Sequence, residues 1–212
     1  MDNNIASRNR LLAEKVIKGL ESRNMTGYYT ESKEEALKKA LEIIPEGATV
    51  GWGGSVSVNQ IGLKESVING NYNALNRESC KTPEEKEKLQ REIFSADFFL
   101  SSSNAVTEDG ILVNIDGISN RIAAIAYGPA HVLMIVGMNK VARDVDAAIS
   151  RARNVAAPIN AQRFPLNTPC KKTGVCADCK SIDTICCEFL ITRFSRQSGR
   201  IHVILVGEEL GY

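Results

Sequence analysis

Short apolar runs alternate with amphipathic helical stretches along most of this chain, and that alternation restricts the fold more than any other feature. Residues 5–23 repeat Ile5, Leu11, Leu12, Val16, Ile17 and Leu20 on one helical face. An extended piece at 27–30 follows, and then Ser32-Lys-Glu-Glu35 has the capping-box spacing that opens a helix ending near Ile44. Strands are predicted at 48–52, 97–102, 111–115 and 130–136, and helices at 57–67, 83–95 and 144–156. The 83–95 helix is opened by Thr82-Pro83-Glu84-Glu85, a capping box with proline at the first helical position. Two closing strands, 188–194 and 200–206, flank a turn and read as an antiparallel hairpin at a sheet edge. Strands interleaved with helices predict an α/β fold with a largely parallel sheet. With no repeat or low-complexity linker, residues 1–212 read as one domain with a cysteine-bearing excursion at about 165–187.

Charge narrows the function classes. A net charge of +1 gives no bulk attraction for nucleic acid or an anionic membrane. No apolar stretch nears the roughly 20 residues that span a bilayer, and the first 22 residues lack the apolar segment of a signal peptide. A reducing cytoplasm is the expected compartment. There, clustered cysteines point to metal or redox work more than to disulfides.

Five of the six cysteines fall between Cys170 and Cys187. Gathering thiolates is costly unless a cation offsets their repulsion. The spacing C-x5-C-x2-C-x6-C lets Cys170, Cys176, Cys179 and Cys186 surround one centre, with Cys187 to spare. It matches neither the zinc-ribbon nor the bacterial ferredoxin spacing, so an iron–sulfur cluster, zinc and reduced thiols without metal all stay open.

Two polar regions are candidate ligand sites. Gly51, Gly53, Gly54 and Ser55 lie where a strand meets a helix, a place where backbone N–H groups receive anions such as carboxylate or phosphate; a tight turn alone would also need these glycines. Ser57 could add a hydroxyl. Asn114, Asp116, Asn120 and Arg121 form a second polar group. Arg121 suits either bidentate capture of a carboxylate or an ion pair with Asp116 or Glu108. Glu108 is a candidate nucleophile or a solvated turn residue. His131 and His202 read as half-buried strand residues.

Taken in order, Gly51-Trp-Gly-Gly-Ser55, Asn59-Gln-Ile-Gly-Leu63, Thr107-Glu-Asp-Gly110, Asn114-x-Asp-Gly117, Asn120-Arg121 and Ala156-Ala-Pro-x-Asn160 resemble the LUD domain (lactate utilization) family, in a cysteine-bearing subgroup. The resemblance implies a three-layer parallel-sheet sandwich like that of ribose-5-phosphate isomerase, glucosamine-6-phosphate deaminase and CoA transferases. It also implies a part in oxidising lactate or a similar 2-hydroxy acid, usually alongside oxidoreductase partner proteins. Thr107-Glu-Asp-Gly110 is similar to the catalytic Ser-Glu-Asn-Gly of CoA transferases. This gives a second expectation, a CoA-transferase-like or ligase-like enzyme with Glu108 as nucleophile and a structural zinc. A non-catalytic subunit of an oxidoreductase system is a third. The expected ligand is a small carboxylate or phosphorylated molecule, and a homodimer is compatible with the sequence.

Overall fold

The computed structural model describes residues 2–212. In chain order its elements are α1 (Asn3–Ser22), β1 (Thr26–Thr30), α2 (Lys33–Ile43), β2 (Thr49–Trp52), α3 (Val56–Gln60), α4 (Leu63–Asn69), β3 (Asn73–Leu75), α5 (Pro83–Glu92), β4 (Phe98–Ser101), β5 (Ala105–Thr107), β6 (Leu112–Asp116), α6 (Asn120–Ala126), β7 (His131–Gly137), β8 (Val141–Ala142), α7 (Val145–Arg151), α8 (Ala157–Ala161), α9 (Pro169–Thr173), β9 (Glu188–Thr192) and β10 (Ile201–Val206).

Six strands form a parallel sheet in the order β1-β10-β7-β4-β2-β3. Alternate residues of the central strands feed two cores. Val132, Met134, Val136, Ile201, Val203 and Leu205 pack with Ala13, Val16 and Leu20 of α1 and Ile125 of α6. Leu133, Ile135, Ile204 and Val206 pack on the opposite face with Ala36 and Ala40 of α2, Val58 of α3 and Val67 of α4. This is the α/β fold with a parallel sheet that the alternation predicts, in the three-layer form that the family resemblance implies. β7 and β10 are apolar on both faces because helices cover both.

A smaller sheet, β8-β5-β6-β9, lies beside the first, with α7 packed on it through Ala148. Here the structure corrects the expected C-terminal hairpin. β9 pairs antiparallel with β6, Leu112 opposite Thr192, whereas β10 is an interior strand of the main sheet between β1 and β7. The residues account for this difference. β9 exposes Phe189 and Ile191, while β10 is buried from Val203 to Val206, the pattern of a strand covered on both sides. Arg200, buried in the connection, donates to the carbonyls of Ala124, Ile125 and Pro129 and fixes where β10 enters.

Two helices also differ from expectation. The 57–67 helix breaks at Gly62, which adopts φ +75°, so α3 and α4 meet at an angle open to glycine. The 144–156 helix continues through a wide turn at Ala152–Ala156, where Ala157 N–H donates to Ala152 O, five residues back. Pro158 follows and has no N–H to give. α5 does carry the full capping box: Thr82 Oγ1 accepts from Glu85 N at 3.2 Å, and Glu85 Oε2 accepts from Thr82 N at 3.4 Å. α5 buries none of its residues. Thr82→Ala is therefore expected to cost about 1 kcal/mol locally, read as faster amide exchange across α5 with little change in the global unfolding midpoint.

Candidate functional site

Buried polar side chains concentrate where β2, β4 and β7 end: Ser57, Ser101, Ser102, Ser103, Asn114 and Lys140. Parallel α/β sheets bind ligands at this edge, and the chain reverses direction here, β3 and β4 flanking β2 on opposite sides. Ser55 caps α3, accepting from Val58 N at 3.3 Å. Gly51 lies under Ile93, and a Cβ there would fall 2.7 Å from Ile93 Cγ1. Gly53 packs on the stem of Arg121 and on Phe99, and Gly54 approaches Arg77. Gly53, Asn120 and Arg121 thus come together, with Trp52 and Arg77, around a cavity of about 10 Å³. That is room for about one water. A larger ligand needs side chains here to move.

Arg121 is committed inside the fold. Nη1 donates to Asn114 Oδ1 at 2.7 Å and Ser102 O at 3.3 Å; Nη2 donates to Ile115 O at 2.6 Å and Asn104 Oδ1 at 3.1 Å. All four terminal N–H groups are used, leaving none for a bidentate carboxylate. Asp116 accepts instead from the backbone N–H groups of Arg121 and Ile122 at 2.9 and 3.0 Å, fixing the start of α6. Burial pushes the guanidinium down, opposed by the Asp116 charge. Asn114 is fully buried, and its Nδ2 has no partner among the described residues.

Lys140, just beyond β7, escaped the sequence reading. It is 3% exposed, and its Nζ donates to Ser57 Oγ at 3.0 Å and Ser102 Oγ at 3.1 Å. Burial, then the charges of Arg151 and Arg121, push it down to about 7. Its amine is therefore partly neutral near neutral pH. Unfolded, the same side chain titrates near its ordinary value of ~10.4. Between these values the unfolded chain holds a proton that the folded one has lost, so this position makes the fold more stable as pH rises from about 7. Lys140→Met should flatten that slope, measured as denaturant midpoints across the range.

Glu108 lies elsewhere. It occupies the tip of the β5–β6 hairpin, at the opposite end from Asn114 and Asp116, and pairs with Lys15 of α1 at 2.6 Å. It lines neither cavity. His131 stacks on Phe98 and His202 on Tyr28, both half-buried at strand starts.

The cysteine segment hangs from the second sheet. Pro169 starts α9 and carries Cys170; Gly174, at φ +74°, ends it; Asp178, at φ +48°, turns the chain between Cys176 and Cys179. Cys186 reaches the start of β9, where Cys187 N–H donates to Asp116 O at 2.8 Å. Cys170, Cys176, Cys179 and Cys186 line one cavity of about 60 Å³, together with Arg153, Pro158, Thr184 and Phe189. Arg153 Nη2 contacts Cys176 Sγ at 3.9 Å and Asp178 Oδ1 at 2.5 Å. Burial pushes the Cys186 thiol up to about 11, with further contributions from Cys176, Cys170, Cys179 and Cys187. Exposed Cys187 and distant Cys80 take no part in the lining. Among the described residues, no three His, Cys, Asp or Glu side chains are spaced to hold a single metal ion. The four thiols therefore share a cavity without closing on one point.

The LUD domain model matches residues 13–206. The chain belongs to the LUD domain family. A solved structure, a crystal structure of a DUF162 family protein from Deinococcus radiodurans, is similar with a TM-score of 0.53 at 14% identity, covering 93% of this chain and 98% of that one. At that identity the likeness concerns the fold alone, and it agrees with the sandwich described above. No match was found among curated proteins. As a LUD domain, the chain is a protein of the lactate-utilization type. None of its described helices is long and apolar enough to cross a membrane.

Proposed function

We propose that this LUD domain serves the oxidation of a small organic acid of the 2-hydroxy acid class, and that its cysteine cavity carries an iron–sulfur cluster for redox work. The supporting observation is the shared lining: Cys170, Cys176, Cys179 and Cys186 face one cavity of about 60 Å³. A water needs about 10–15 Å³ on this measure, so the space suits a group of several atoms. A structural zinc held directly by the four sulfurs at about 2.3 Å is the competing reading. Cys170, Cys176, Cys179 and Cys186 would hold the cluster, which would pass single electrons.

This chain's own residues prepare the cavity. Arg153 beside Cys176 offers positive charge to a thiolate-bound centre, and the Arg153–Asp178 pair steadies the turn between Cys176 and Cys179. Phe189, Pro158 and Ile185 supply apolar walls that limit water. The Cys187 backbone bond to Asp116 ties the cavity to the start of α6 and hence to Arg121. Oxidoreductase proteins are the expected partners. Protein purified without oxygen should be brown, with visible absorption that bleaches on reduction. A colourless protein holding one zinc per chain would favour the structural-metal reading and refute the redox one.

A further inference from the structure

The centre around Lys140 has no role in the cysteine chemistry, yet it buries an amine among hydroxyls. A lysine is taken out of water at the carboxyl ends of three neighbouring strands and given two hydroxyl partners. Ser57 follows β2, Ser102 follows β4 and Lys140 follows β7, and the two hydroxyls lie 3.4 Å apart. The surrounding charge makes the burial harder. Arg151 and Arg121 both repel Lys140, and its two hydrogen-bond partners are neutral hydroxyls. Asp116, the nearest acid to Arg121, is spent on the backbone of α6. A second donor is in surplus beside the centre: Asn114 Nδ2 lacks a partner, while Asn114 Oδ1 shares Arg121 Nη1 with Ser102 O. Positive charge and an unspent donor are what a site for an anion needs.

The cover is a close backbone approach. A Cβ at Gly211 would fall 3.0 Å from Ser57 Oγ and 3.1 Å from Lys140 Nζ, so only a bare backbone fits there. Gly211 takes φ +56° and is held by Gln60 of α3, whose Oε1 accepts from Gly211 N at 2.7 Å. Leu210, fully buried, anchors the segment one residue earlier. Gly211 is thus the backbone that covers the centre, and the Gln60 hydrogen bond holds it there.

We propose that Ser57, Ser102 and Lys140 bind the carboxylate of a small organic acid, which enters when the Gly211 backbone lifts away. This rests on the reading that the protein's ligand is such an acid. Two hydroxyls and one amine match the two oxygens of a carboxylate. The single charge available, since both guanidinium groups are bonded elsewhere, suits a monoanion better than a phosphate. A bound anion also restores the ammonium form of Lys140, so binding above pH 7 takes up a proton.

The test is calorimetric titration of the full chain with L-lactate, pyruvate and inorganic phosphate. It is run at mildly alkaline pH in two buffers of different ionisation heat. Lactate or pyruvate should bind with proton uptake. Lys140→Met should weaken binding roughly tenfold or more, the loss of one charge-assisted contact. Gln60→Ala, which frees Gly211, should strengthen it. Binding of an organic acid unchanged in a folded Lys140→Met protein overturns this site but leaves the organic-acid reading standing. Binding of phosphate alone overturns the ligand class, and no binding by any of the three overturns both. If Lys140→Met fails to fold, the wild-type protein still decides: binding without proton uptake rejects Lys140 as the anchor.

Discussion

Replacing Cys176 and Cys179 together by serine is expected to abolish iron binding and visible colour while leaving the two sheets folded. The cysteine cavity sits outside both main cores, and Cys186 alone among its thiols packs against the small third cluster of buried residues. The loss is therefore confined to the loop, read as complete loss of iron with a nearly unchanged far-ultraviolet circular dichroism spectrum. Cys187→Ser, altering the one cysteine of the segment outside the cavity lining, should retain the metal. Full iron occupancy in the double variant would remove these residues as ligands.

Arg121→Ala is expected to destabilise the fold by roughly 3 kcal/mol or more, the second largest effect. It strips donors from Asn114 Oδ1, Ile115 O and Ser102 O, on buried residues, and from Asn104 Oδ1 on a half-buried one. Each stranded buried acceptor costs about 1–3 kcal/mol, partly relieved where water enters. Arg121→Lys should recover only part of this, because one ammonium cannot span four acceptors in a planar fork. Urea unfolding measures both. An Arg121→Ala protein of wild-type stability would show that the guanidinium network contributes nothing to the fold.

The central strands of the main sheet were legible because burial on both faces writes continuous apolar runs, as in β7 from Val132 to Val136, whereas the edge strand β3, three half-exposed residues, left no pattern. β9 and β10 were harder. Two apolar segments around a glycine-bearing turn look alike whether they pair or enter different sheets, and only the neighbours decide: β6 beside one, β1 and β7 beside the other. β5, at three residues, was too short to leave a pattern.

Of the candidate site, the cysteines were readable because four thiols so close in sequence have few other uses. Cys170, Cys176, Cys179 and Cys186 line one cavity. The glycine turn and Arg121 stood out in the sequence, but the internal bonds of Arg121 did not. Whether a guanidinium faces a ligand or four internal acceptors depends on Asn104, Ser102 and Ile115, which periodicity does not place. Lys140 was invisible for a simpler reason: a lone lysine after a strand reads as solvated. Its position just past β7, at the ligand-binding edge of a parallel sheet, was the signal that could have found it.

The most direct test of the central claim is the count of iron and acid-labile sulfide per chain in wild-type protein purified without oxygen. The account predicts both, in the matched amounts of a cluster held by Cys170, Cys176, Cys179 and Cys186, and neither in the Cys176→Ser/Cys179→Ser protein. Zinc with no sulfide, or four thiols that all react with a small alkylating reagent in metal-free protein of native fold, would contradict it.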